Sequence, residues 1–287
     1  MNRVVVHRPS EFVWEKRGAL SLQVSKTFAP SLSGDPDHFF ELPGCEVIKD
    51  QRKITVARVK IDVQGDAKTI YLKRYNAFSW RYRLGSLFQS SGAFRSLRGA
   101  AILAESGIRT ARPLAAVDSR SWGVLNKSFF LSEEIENGKT ADRYWREELL
   151  TIKGKEGSRR RRKFLRELGE LFVSLHRQDV YHNDLKDANI LVRRDSSGSA
   201  EQFYLLDLEG IRRYRKLNRR RRIKNLVQLN RTLGKYLRAT DKLRFLEGYL
   251  GPSFADRSEK GSWVSGVLKQ SQRFDRRRKN KAAWGLA

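Results

Sequence analysis

The spacing of apolar residues changes along the chain and separates a strand-rich half from a helical half. From Cys45, the segment CEVIKDQRKITVARVKIDV repeats β-branched residues at strand-like spacing, QGDA follows as a turn, and KTIYLKRY continues the pattern. Two further apolar runs, IRTARPLAAVDS and SFFLSEEI, complete this half, with one helix expected around residues 96–106. We therefore predict a five-stranded antiparallel sheet accompanied by one helix.

The second half carries helical periodicity. In RKFLRELGELFVSLHRQ, apolar residues fall at positions 164, 165, 168, 171, 172 and 175, which is the stripe of a helix that faces a core. Gly169 lies inside this stripe and indicates close packing against a neighbour. IKNLVQLNRTLGKYL and KLRFLEGYL predict two more helices. Strands followed by helices favour an α+β fold.

These patterns divide the chain into four segments. Residues 1–44 contain a run of Pro, Ser, Gly and Asp and are predicted to be an irregular N-terminal extension. Residues 45–135 form a strand-rich N-lobe, residues 136–272 a helical C-lobe, and residues 273–287 a disordered basic tail. We expect the two lobes to join near Glu134.

The charge of the chain restricts its partners. Its 287 residues carry a net charge of +27, with a pI of about 10.6. Seven of the eleven residues from Lys153 to Lys163 are basic, as are nine of the thirteen from Arg212 to Lys224. Such a surface attracts polyanions, namely nucleic acid, anionic lipid or phosphorylated glycans.

Cysteine content and hydropathy bear on the compartment. Cys45 is the single cysteine, which excludes an intrachain disulfide and a thiolate zinc cluster and fits a reducing compartment. The N-terminal sequence lacks the apolar stretch of a signal peptide. No segment approaches the roughly 20 apolar residues that cross a bilayer. We expect a cytoplasmic protein whose membrane contact is peripheral.

Residues 180–192, VYHNDLKDANILV, place many polar side chains directly before an apolar strand. A buried polar group costs free energy unless it finds a partner, so packing alone does not account for this composition. Asp184 and Asn189 lie five residues apart, and Asp207 follows the next apolar strand. A carboxylate suits the proton of an acceptor hydroxyl, and carboxylate and amide oxygens suit Mg²⁺. The pattern indicates a metal–phosphate site; the alternative is a polar turn with Asp and Asn as caps.

The order His-x-Asp-Leu-x-x-x-Asn, followed by Asp-x-x-Gly, resembles the catalytic core of the protein-kinase-like phosphotransferases. The resemblance implies a protein-kinase-like bilobal fold, ATP as phosphate donor and Mg²⁺ as cofactor. It implies that Asp184 is the catalytic base and that Asn189 and Asp207 bind magnesium. Lys186, two residues past the base, would neutralise charge on the transferred phosphoryl group, and His182 would hold the loop in place.

The first half supplies the expected nucleotide contacts. Lys73, in the strand IYLKRY, stands where this superfamily places the lysine that holds the α- and β-phosphates; the alternative is a solvent-facing strand lysine. The sequence LSEEI falls at the hinge between lobes, where backbone groups hold adenine. We therefore predict that Glu133, Glu134 and Ile135 bind the nucleotide, with ordinary strand-end residues as the alternative.

Three departures argue against a regulated protein kinase. The bend KDQRK, residues 49–53, contains no glycine in place of the G-x-G-x-x-G loop. The first turns of the helix near residue 96 contain no glutamate to pair with Lys73, and the partner of this lysine is left open. The segment after Gly210 lacks A-P-E and runs directly into a basic helix.

Several segments together resemble the lipopolysaccharide core kinases of Gram-negative bacteria. They are YLKRY, GIRTARPLAAV, YHNDLKDANILV, and YLLDLEG with the arginine-rich run after it, within roughly residues 45–235. The resemblance implies phosphorylation of a heptose or Kdo sugar of the inner core at the cytoplasmic face of the inner membrane. An acceptor attached to lipid A and an anionic membrane surface would account for the basic runs; solvated helix faces are the alternative.

Three other functions compete with this hypothesis. A basic nucleic-acid-binding protein fits the charge, although no zinc, RRM or helix-turn-helix pattern is present and the Asp-Asn-Asp order would have no purpose. A small-molecule phosphotransferase of the aminoglycoside type usually has a glycine and a histidine in the catalytic loop, where this chain has Asn183 and Lys186. A pseudokinase scaffold fits the missing glycine loop but not the intact triad.

Overall fold

The computed structural model describes residues 11–77, 79, 85–195 and 200–283, without the side chains of residues 277–283. They form two compact units. The first unit takes the described residues up to Glu136 together with Asp207–Ile211, and the second takes Asn137–Leu206 and the residues from Arg212 onward. One unit contains a large sheet and the other is mainly helical, so the protein has the α+β architecture that the sequence predicts.

Among the described residues, the sheet of the first unit has seven strands, and every neighbouring pair is antiparallel. In chain order the strands are β1 (Phe12–Arg17), β2 (Leu20–Ser25), β3 (Glu46–Gln51), β4 (Ile54–Val63), β5 (Asp66–Asn76), β6 (Pro113–Ser121) and β7 (Val124–Glu133). Their order across the sheet is β1-β2-β6-β7-β5-β4-β3. Strand β5 therefore lies inside the sheet, between β4 and β7.

The prediction that residues 1–44 are irregular was wrong for Phe12–Arg17 and Leu20–Ser25, which are strands, whereas the residues from 26 to 44 form turns and short 3₁₀ helices. Strands β1 and β2 form a hairpin, and β2 pairs with β6 with Leu22 opposite Val117. Leu22 and Val24 are fully buried, and their alternation with polar residues is a strand signal, although a short one. The hairpin adds two strands to the five that were predicted. The bend predicted at residues 49–53 is also shorter, because β3 extends to Gln51 and β4 starts at Ile54.

Helix α1 (Gly92–Glu105) accompanies this sheet. It begins four residues before the predicted start, because Ser91 caps its first turn by accepting a hydrogen bond from the Phe94 amide at 3.2 Å. Small residues on α1 permit close approach. A Cβ atom on Gly92 would lie 2.6 Å from the Tyr75 ring, and one on Gly99 would lie 2.2 Å from the Leu208 carbonyl oxygen.

The second unit is built from helices and short strands. The helices are α2 (Ala141–Tyr144), which continues as π-helix over Trp145–Leu149, α3 (Gly154–Arg177), α4 (Arg219–Arg231), α5 (Ala239–Leu250) and α6 (Arg257–Ala283). The strands are β8 (Lys139–Thr140), β9 (Val180–His182), β10 (Ile190–Arg194), β11 (Glu201–Leu205) and β12 (Ile211–Arg213), which begins at the last residue of the first unit. Strands β11, β10 and β8 form a three-stranded sheet.

Helix α3 buries the stripe that its periodicity predicts. Phe164, Leu165, Leu168, Phe172 and Leu175 are all fully buried. Gly169 lies against α5, where a Cβ atom would come within 2.3 Å of the Phe245 carbonyl oxygen. The close packing predicted for this glycine is therefore confirmed.

The prediction of a disordered tail from residue 273 was also wrong for the described residues, because α6 continues to Ala283. Contacts with α4 account for the difference: Arg231 pairs with Asp275 at 2.9 Å and lies over the Phe274 ring. Trp263, earlier in α6, is buried against Tyr249. Along the described part of the chain, no helix has both the length and the apolar character needed to cross a membrane.

Candidate active site

The loop His182–Asn189 is built around a fully buried histidine. The Nε2 of His182 lies 2.8 Å from the Leu206 carbonyl oxygen, and its Nδ1 lies 3.1 Å from the Asp184 amide nitrogen. The Asp184 amide can only donate, so Nδ1 accepts and Nε2 carries the proton. The imidazole therefore connects the loop to the end of the β11 strand segment, and Asp207 is the next residue in the chain after Leu206.

Three candidate residues meet on the surface of this loop. The Lys186 ammonium group lies 2.7 Å from the Asp184 carboxylate. The Asn189 side-chain amide donates to the Asp184 carbonyl oxygen at 2.7 Å and to its carboxylate at 3.3 Å. The Asp184 side chain is 44% exposed, so its carboxylate is open to an incoming hydroxyl. Because the nitrogen of Asn189 is committed, the amide oxygen is the group that this residue offers to a cation.

A set of polar side chains on α4 and at its C-terminal cap forms hydrogen bonds to the loop, and the sequence did not reveal them. The Asn225 amide nitrogen donates to the His182 carbonyl oxygen at 2.6 Å and to the Gln228 side-chain oxygen at 2.8 Å. Gln228 donates to the Asn183 carbonyl oxygen and accepts from the Leu185 amide. Thr232 accepts from the Asp187 amide at 3.4 Å. The available signal was the spacing of these polar residues at i, i+3 and i+7 in an otherwise apolar helical stripe.

His176 extends this network into the core of the second unit. Its Nε2 lies 3.2 Å from the Asn225 side-chain oxygen, and its Nδ1 lies 2.9 Å from the Tyr249 hydroxyl. Since the nitrogen of Asn225 donates elsewhere, its oxygen accepts and His176 Nε2 carries the proton. Burial lowers the pKa of His176 to about 4, so the ring is neutral near pH 7.

The first unit brings Lys73 and Asp207 together. The Lys73 ammonium group, on β5, lies 2.6 Å from an Asp207 carboxylate oxygen, although 134 residues separate them. Burial alone would lower the pKa of Lys73, but the neighbouring Tyr75 and Asp207 oxygens outweigh it and raise the pKa overall. Lys73 therefore carries a fixed positive charge in a partly buried position, with Asp207 as its acidic partner.

Tyr75 and Ser96 support this lysine from the side. The Lys73 ammonium lies 5.0 Å from the centre of the Tyr75 ring, and the Tyr75 hydroxyl lies 2.8 Å from the Ser96 hydroxyl. Ser96 donates to the Gly92 carbonyl oxygen at 2.9 Å, so Tyr75 is the donor to Ser96. Burial raises the pKa of Tyr75 to about 12, which keeps this donor protonated at neutral pH.

Helix α1 holds the Asp207 segment by two contacts that the sequence did not reveal. Arg95 forms an ion pair with Glu209, and Gly99 lies against the Leu208 carbonyl oxygen so closely that no side chain fits between them. Asp207 itself has a left-handed backbone, with φ of 56° and ψ of 58°, which few non-glycine residues adopt. The cost of this conformation indicates that the surrounding contacts fix the position of its carboxylate.

The predicted adenine residues have side chains engaged elsewhere. Glu134 pairs with Arg58 through two hydrogen bonds of 2.8 and 3.0 Å, and Glu133 lies 3.6 Å from both Lys68 and Arg112. Their amide groups donate to the Arg112 and Thr69 carbonyl oxygens. The Ile135 amide, in contrast, enters none of the hydrogen bonds found among the described residues.

A basic cavity of about 1400 Å³ lies in the second unit. Of the described residues, nine basic and three acidic ones line it, together with the exposed apolar surface of Leu150 and Tyr236. The basic residues are Lys153, Lys155, Arg159, Arg161, Arg162, Lys163, Arg166, Arg238 and Arg244, and the acidic ones are Glu167, Glu170 and Asp241. The predicted run at residues 159–163 therefore lines this cavity, apart from Arg160, which pairs with Glu201.

Comparisons with known proteins bear on both the family and the fold. Residues 44–249 match the model of the lipopolysaccharide kinase (Kdo/WaaP) family. The structure of WaaP in complex with acyl carrier protein is similar to the chain, with a TM-score of 0.64 and 20% sequence identity, over 88% of this chain and 98% of the other. No curated protein sequence matches significantly. The structural similarity confirms the predicted protein-kinase-like fold.

Proposed function

Because the chain belongs to the lipopolysaccharide kinase (Kdo/WaaP) family, and is thus a phosphotransferase, we propose that it phosphorylates a heptose or Kdo hydroxyl of the lipopolysaccharide inner core at the inner membrane. The γ-phosphate of ATP is the group transferred. The acceptor oxygen forms a bond to the γ-phosphorus, the bond between that phosphorus and the β,γ-bridging oxygen breaks, and ADP leaves. The hydroxyl proton passes to a carboxylate.

Asp184 is the proton acceptor in this proposal. Its carboxylate is exposed, and the buried His182 and the α4 side chains fix the backbone that carries it. Lys186, 2.7 Å from that carboxylate, places a positive charge where negative charge gathers on the transferred group. Electrostatic stabilisation of this kind is the main source of catalysis in phosphoryl transfer.

Lys73 binds the phosphates of ATP, and the observation that carries the proposal is its 2.6 Å contact with Asp207. A solvent-facing strand lysine would have no need of a carboxylate that lies 134 residues away. The Asp207 carboxylate favours the protonated form of Lys73, so this residue presents a cation to phosphate. The Ile135 amide supports a contact with adenine, whereas the side chains of Glu133 and Glu134 serve the sheet.

The residues proposed for magnesium fit the chemistry of the ion. Asp207 offers a carboxylate that is 38% exposed, and Asn189 offers its side-chain oxygen because its nitrogen is used by Asp184. Mg²⁺ prefers such oxygen donors and keeps several waters. When bound, the ion would neutralise charge on the β- and γ-phosphates.

The basic cavity supports an anionic acceptor. Two of its cations, Arg162 and Arg166, are exposed and have no carboxylate within ion-pair distance among the described residues. Leu150 and Tyr236 add apolar surface beside them. A cationic rim with an apolar edge suits a phosphorylated amphiphile, such as the lipid A end of the acceptor, better than a neutral sugar.

The direct test is transfer of labelled phosphate from ATP to extracted inner-core glycolipid, followed by mapping of the labelled hydroxyl. We expect labelling of one heptose or Kdo position that Asp184→Asn nearly abolishes, while Glu247→Gln, a charge-neutralising change on α5, leaves it intact. Labelling of an aminoglycoside but not of the glycolipid would contradict the proposed acceptor. Equal turnover by the parent and Asp184→Asn would contradict the assignment of Asp184 as the base.

A further inference from the structure

Two turns of the first unit expose large apolar side chains at one place. Trp122 is 100% exposed, Phe88 is 90% exposed, and Leu87 is about half exposed. Trp122 lies in the two-residue turn between β6 and β7, and Phe88 ends a turn in which its amide donates to the Gly85 carbonyl oxygen. We refer to Leu87, Phe88 and Trp122 as the apolar tip.

The two turns are fixed against each other. The Arg120 guanidinium donates to the Ser86 carbonyl oxygen at 3.1 Å and to the Gly123 carbonyl oxygen at 2.9 Å. The Ser86 hydroxyl accepts from the buried Leu125 amide at 3.1 Å. A Cβ atom on Gly123 would lie 3.7 Å from a Leu87 methyl carbon. The apolar tip is therefore one supported surface rather than three scattered side chains.

The conformation of Trp122 indicates that its side chain serves a purpose outside the chain. Trp122 and Gly123 have φ angles of 53° and 78°, the backbone of a type I′ hairpin turn, for which Asn-Gly is the favoured sequence. A bulky residue at positive φ is strained. Trp122 nevertheless occupies this position while its side chain is fully exposed. Packing against the described residues therefore does not offset the free-energy cost of its backbone conformation.

The surroundings of the apolar tip identify the partner. The turn sequences GSLF (85–88) and SWGV (121–124) contain no charged residue, although 32% of the chain is charged. Exposed Trp and Phe side chains partition into the interface of a lipid bilayer, where their rings are favoured. The net charge of +27 supplies attraction to an anionic membrane surface. We propose that the apolar tip inserts into the interface of an anionic lipid bilayer and anchors the first unit there.

This inference deepens the proposed function, because a lipid-linked acceptor requires the enzyme to reach a membrane, but its test is independent of catalysis. Vesicles of phosphatidylethanolamine and phosphatidylglycerol are titrated with the full chain, with Trp122→Asn/Phe88→Ser, and with Trp14→Ser as the control. Trp14 is also exposed, at 65%, but its ring contacts Phe94. We expect the tip variant to partition roughly tenfold to a hundredfold more weakly, since two large side chains leave the apolar phase. The control should match the parent.

Two further readouts separate insertion from a folding defect. Trp122→Asn restores the favoured turn sequence, so its thermal midpoint should equal or exceed that of the parent while vesicle binding falls. Acyl-brominated lipid should quench part of the tryptophan fluorescence of the parent, and Trp122→Phe should remove that part.

Equal vesicle binding by parent and tip variant would overturn the inference. So would a parent that ignores vesicles but forms a concentration-dependent dimer that Trp122→Asn abolishes, because the apolar tip would then be a protein contact. If vesicle binding depends on the apolar tip while no sugar is phosphorylated, the anchor stands and the proposed acceptor fails. If the tip variant phosphorylates detergent-dispersed glycolipid normally but turns over more slowly on vesicles, that result supports both the membrane anchor and the proposed acceptor.

Discussion

The Asn225 side-chain nitrogen lies 2.6 Å from the carbonyl oxygen of His182. Helix α4, which follows the loop His182–Asn189 in sequence, therefore holds the first residue of that loop. The same nitrogen also donates to Gln228, which contacts the backbone of Asn183 and Leu185. The Asn225 and Gln228 side-chain nitrogens donate, and the Gln228 side-chain oxygen accepts. These roles fix which way each of the two side-chain amides is turned. The loop is therefore positioned from α4 before any ligand binds.

We expect Asn225→Asp to lower kcat and to destabilise the fold by about 1–3 kcal/mol, because a carboxylate cannot donate to the buried His182 carbonyl oxygen. Asn218→Asp is the matched control, since Asn218 caps the start of the same helix as an acceptor and Asp caps equally well. Steady-state kinetics and urea unfolding measure the two effects. If Asn225→Asp behaves like Asn218→Asp, the loop does not depend on this hydrogen bond.

Acidification should weaken the fold through His176. Its pKa is about 4 in the folded protein and about 6.5 when unperturbed. Between these values the unfolded chain binds the proton and the folded protein does not, so the free energy of unfolding falls as pH falls from 6.5 toward 4. The shift corresponds to roughly 3 kcal/mol.

Urea unfolding of the parent and of His176→Gln at pH 7, 6, 5 and 4.5 isolates this effect. The difference between the two proteins should shrink as the pH falls, because Gln can form both hydrogen bonds but takes up no proton. Burial raises the pKa of Asp118 and Asp187; these groups act in the opposite direction but equally in both proteins. A difference that stays constant with pH would show that His176 is not neutral through burial.

If Asp207 binds magnesium and Lys73 binds phosphate as proposed, Asp207→Asn should weaken ATP binding in the presence of Mg²⁺ but change it little in EDTA, because only the metal ligand is lost. Asp66→Asn, at the first residue of the strand that carries Lys73, is the control and should bind as the parent does. Isothermal titration with a non-hydrolysable ATP analogue gives both affinities. Equal losses with and without metal would assign Asp207 to the orientation of Lys73 rather than to magnesium.

Gly99→Ala should disturb the Asp207 segment, because the added Cβ would lie 2.2 Å from the Leu208 carbonyl oxygen, a backbone atom. We expect a lower thermal midpoint and a loss of turnover. Gly261→Ala is the matched control: it lies in α6, nothing lies within 4 Å of its Cβ position, and Ala should stabilise the helix by about 0.5–1 kcal/mol. Full activity in Gly99→Ala would mean that α1 can move away from the Asp207 segment without loss of turnover.

The sequence suggested the candidate residues that belong to the kinase-like motifs, including Lys73 and Asp207 on distant segments, and missed the residues that hold them in place. Asp184, Lys186 and Asn189 lie within six residues, so their order alone suggested one site. Asn225 and Glu209 function through contacts with distant backbone or with Arg95, and a single sequence gives no pairing of that kind. The same limit explains the fold: the β1–β2 hairpin depends on pairing with β6, and the end of α6 on contacts with α4.

The arginines proposed to attract an anionic acceptor differ in whether they also pack against aromatic rings. In the run at residues 219–222, Arg219 lies over the Trp263 ring and Arg221 over the Tyr214 ring, at 4.6 and 4.1 Å, so their removal would also disturb packing. Arg162 and Arg166 line the basic cavity without such contacts among the described residues. They give the cleaner test of acceptor binding.

We therefore expect Arg162→Gln/Arg166→Gln to raise the KM for glycolipid several-fold while the KM for ATP stays constant, because the proposed ATP contacts are made by Lys73 and the metal ligands and not by these arginines. Arg143→Gln is the control, since Arg143 does not line the cavity and is paired with Glu147 at 3.0 Å. Added salt should reproduce the rise in the parent, because screening shortens the reach of these charges to about 10 Å at 0.1 M. If duplex DNA competes with glycolipid at the cavity and no sugar is labelled, the arginines serve nucleic acid and the acceptor assignment is lost. If both KM values rise together, the variant has changed the catalytic loop, and the cavity does not select the acceptor.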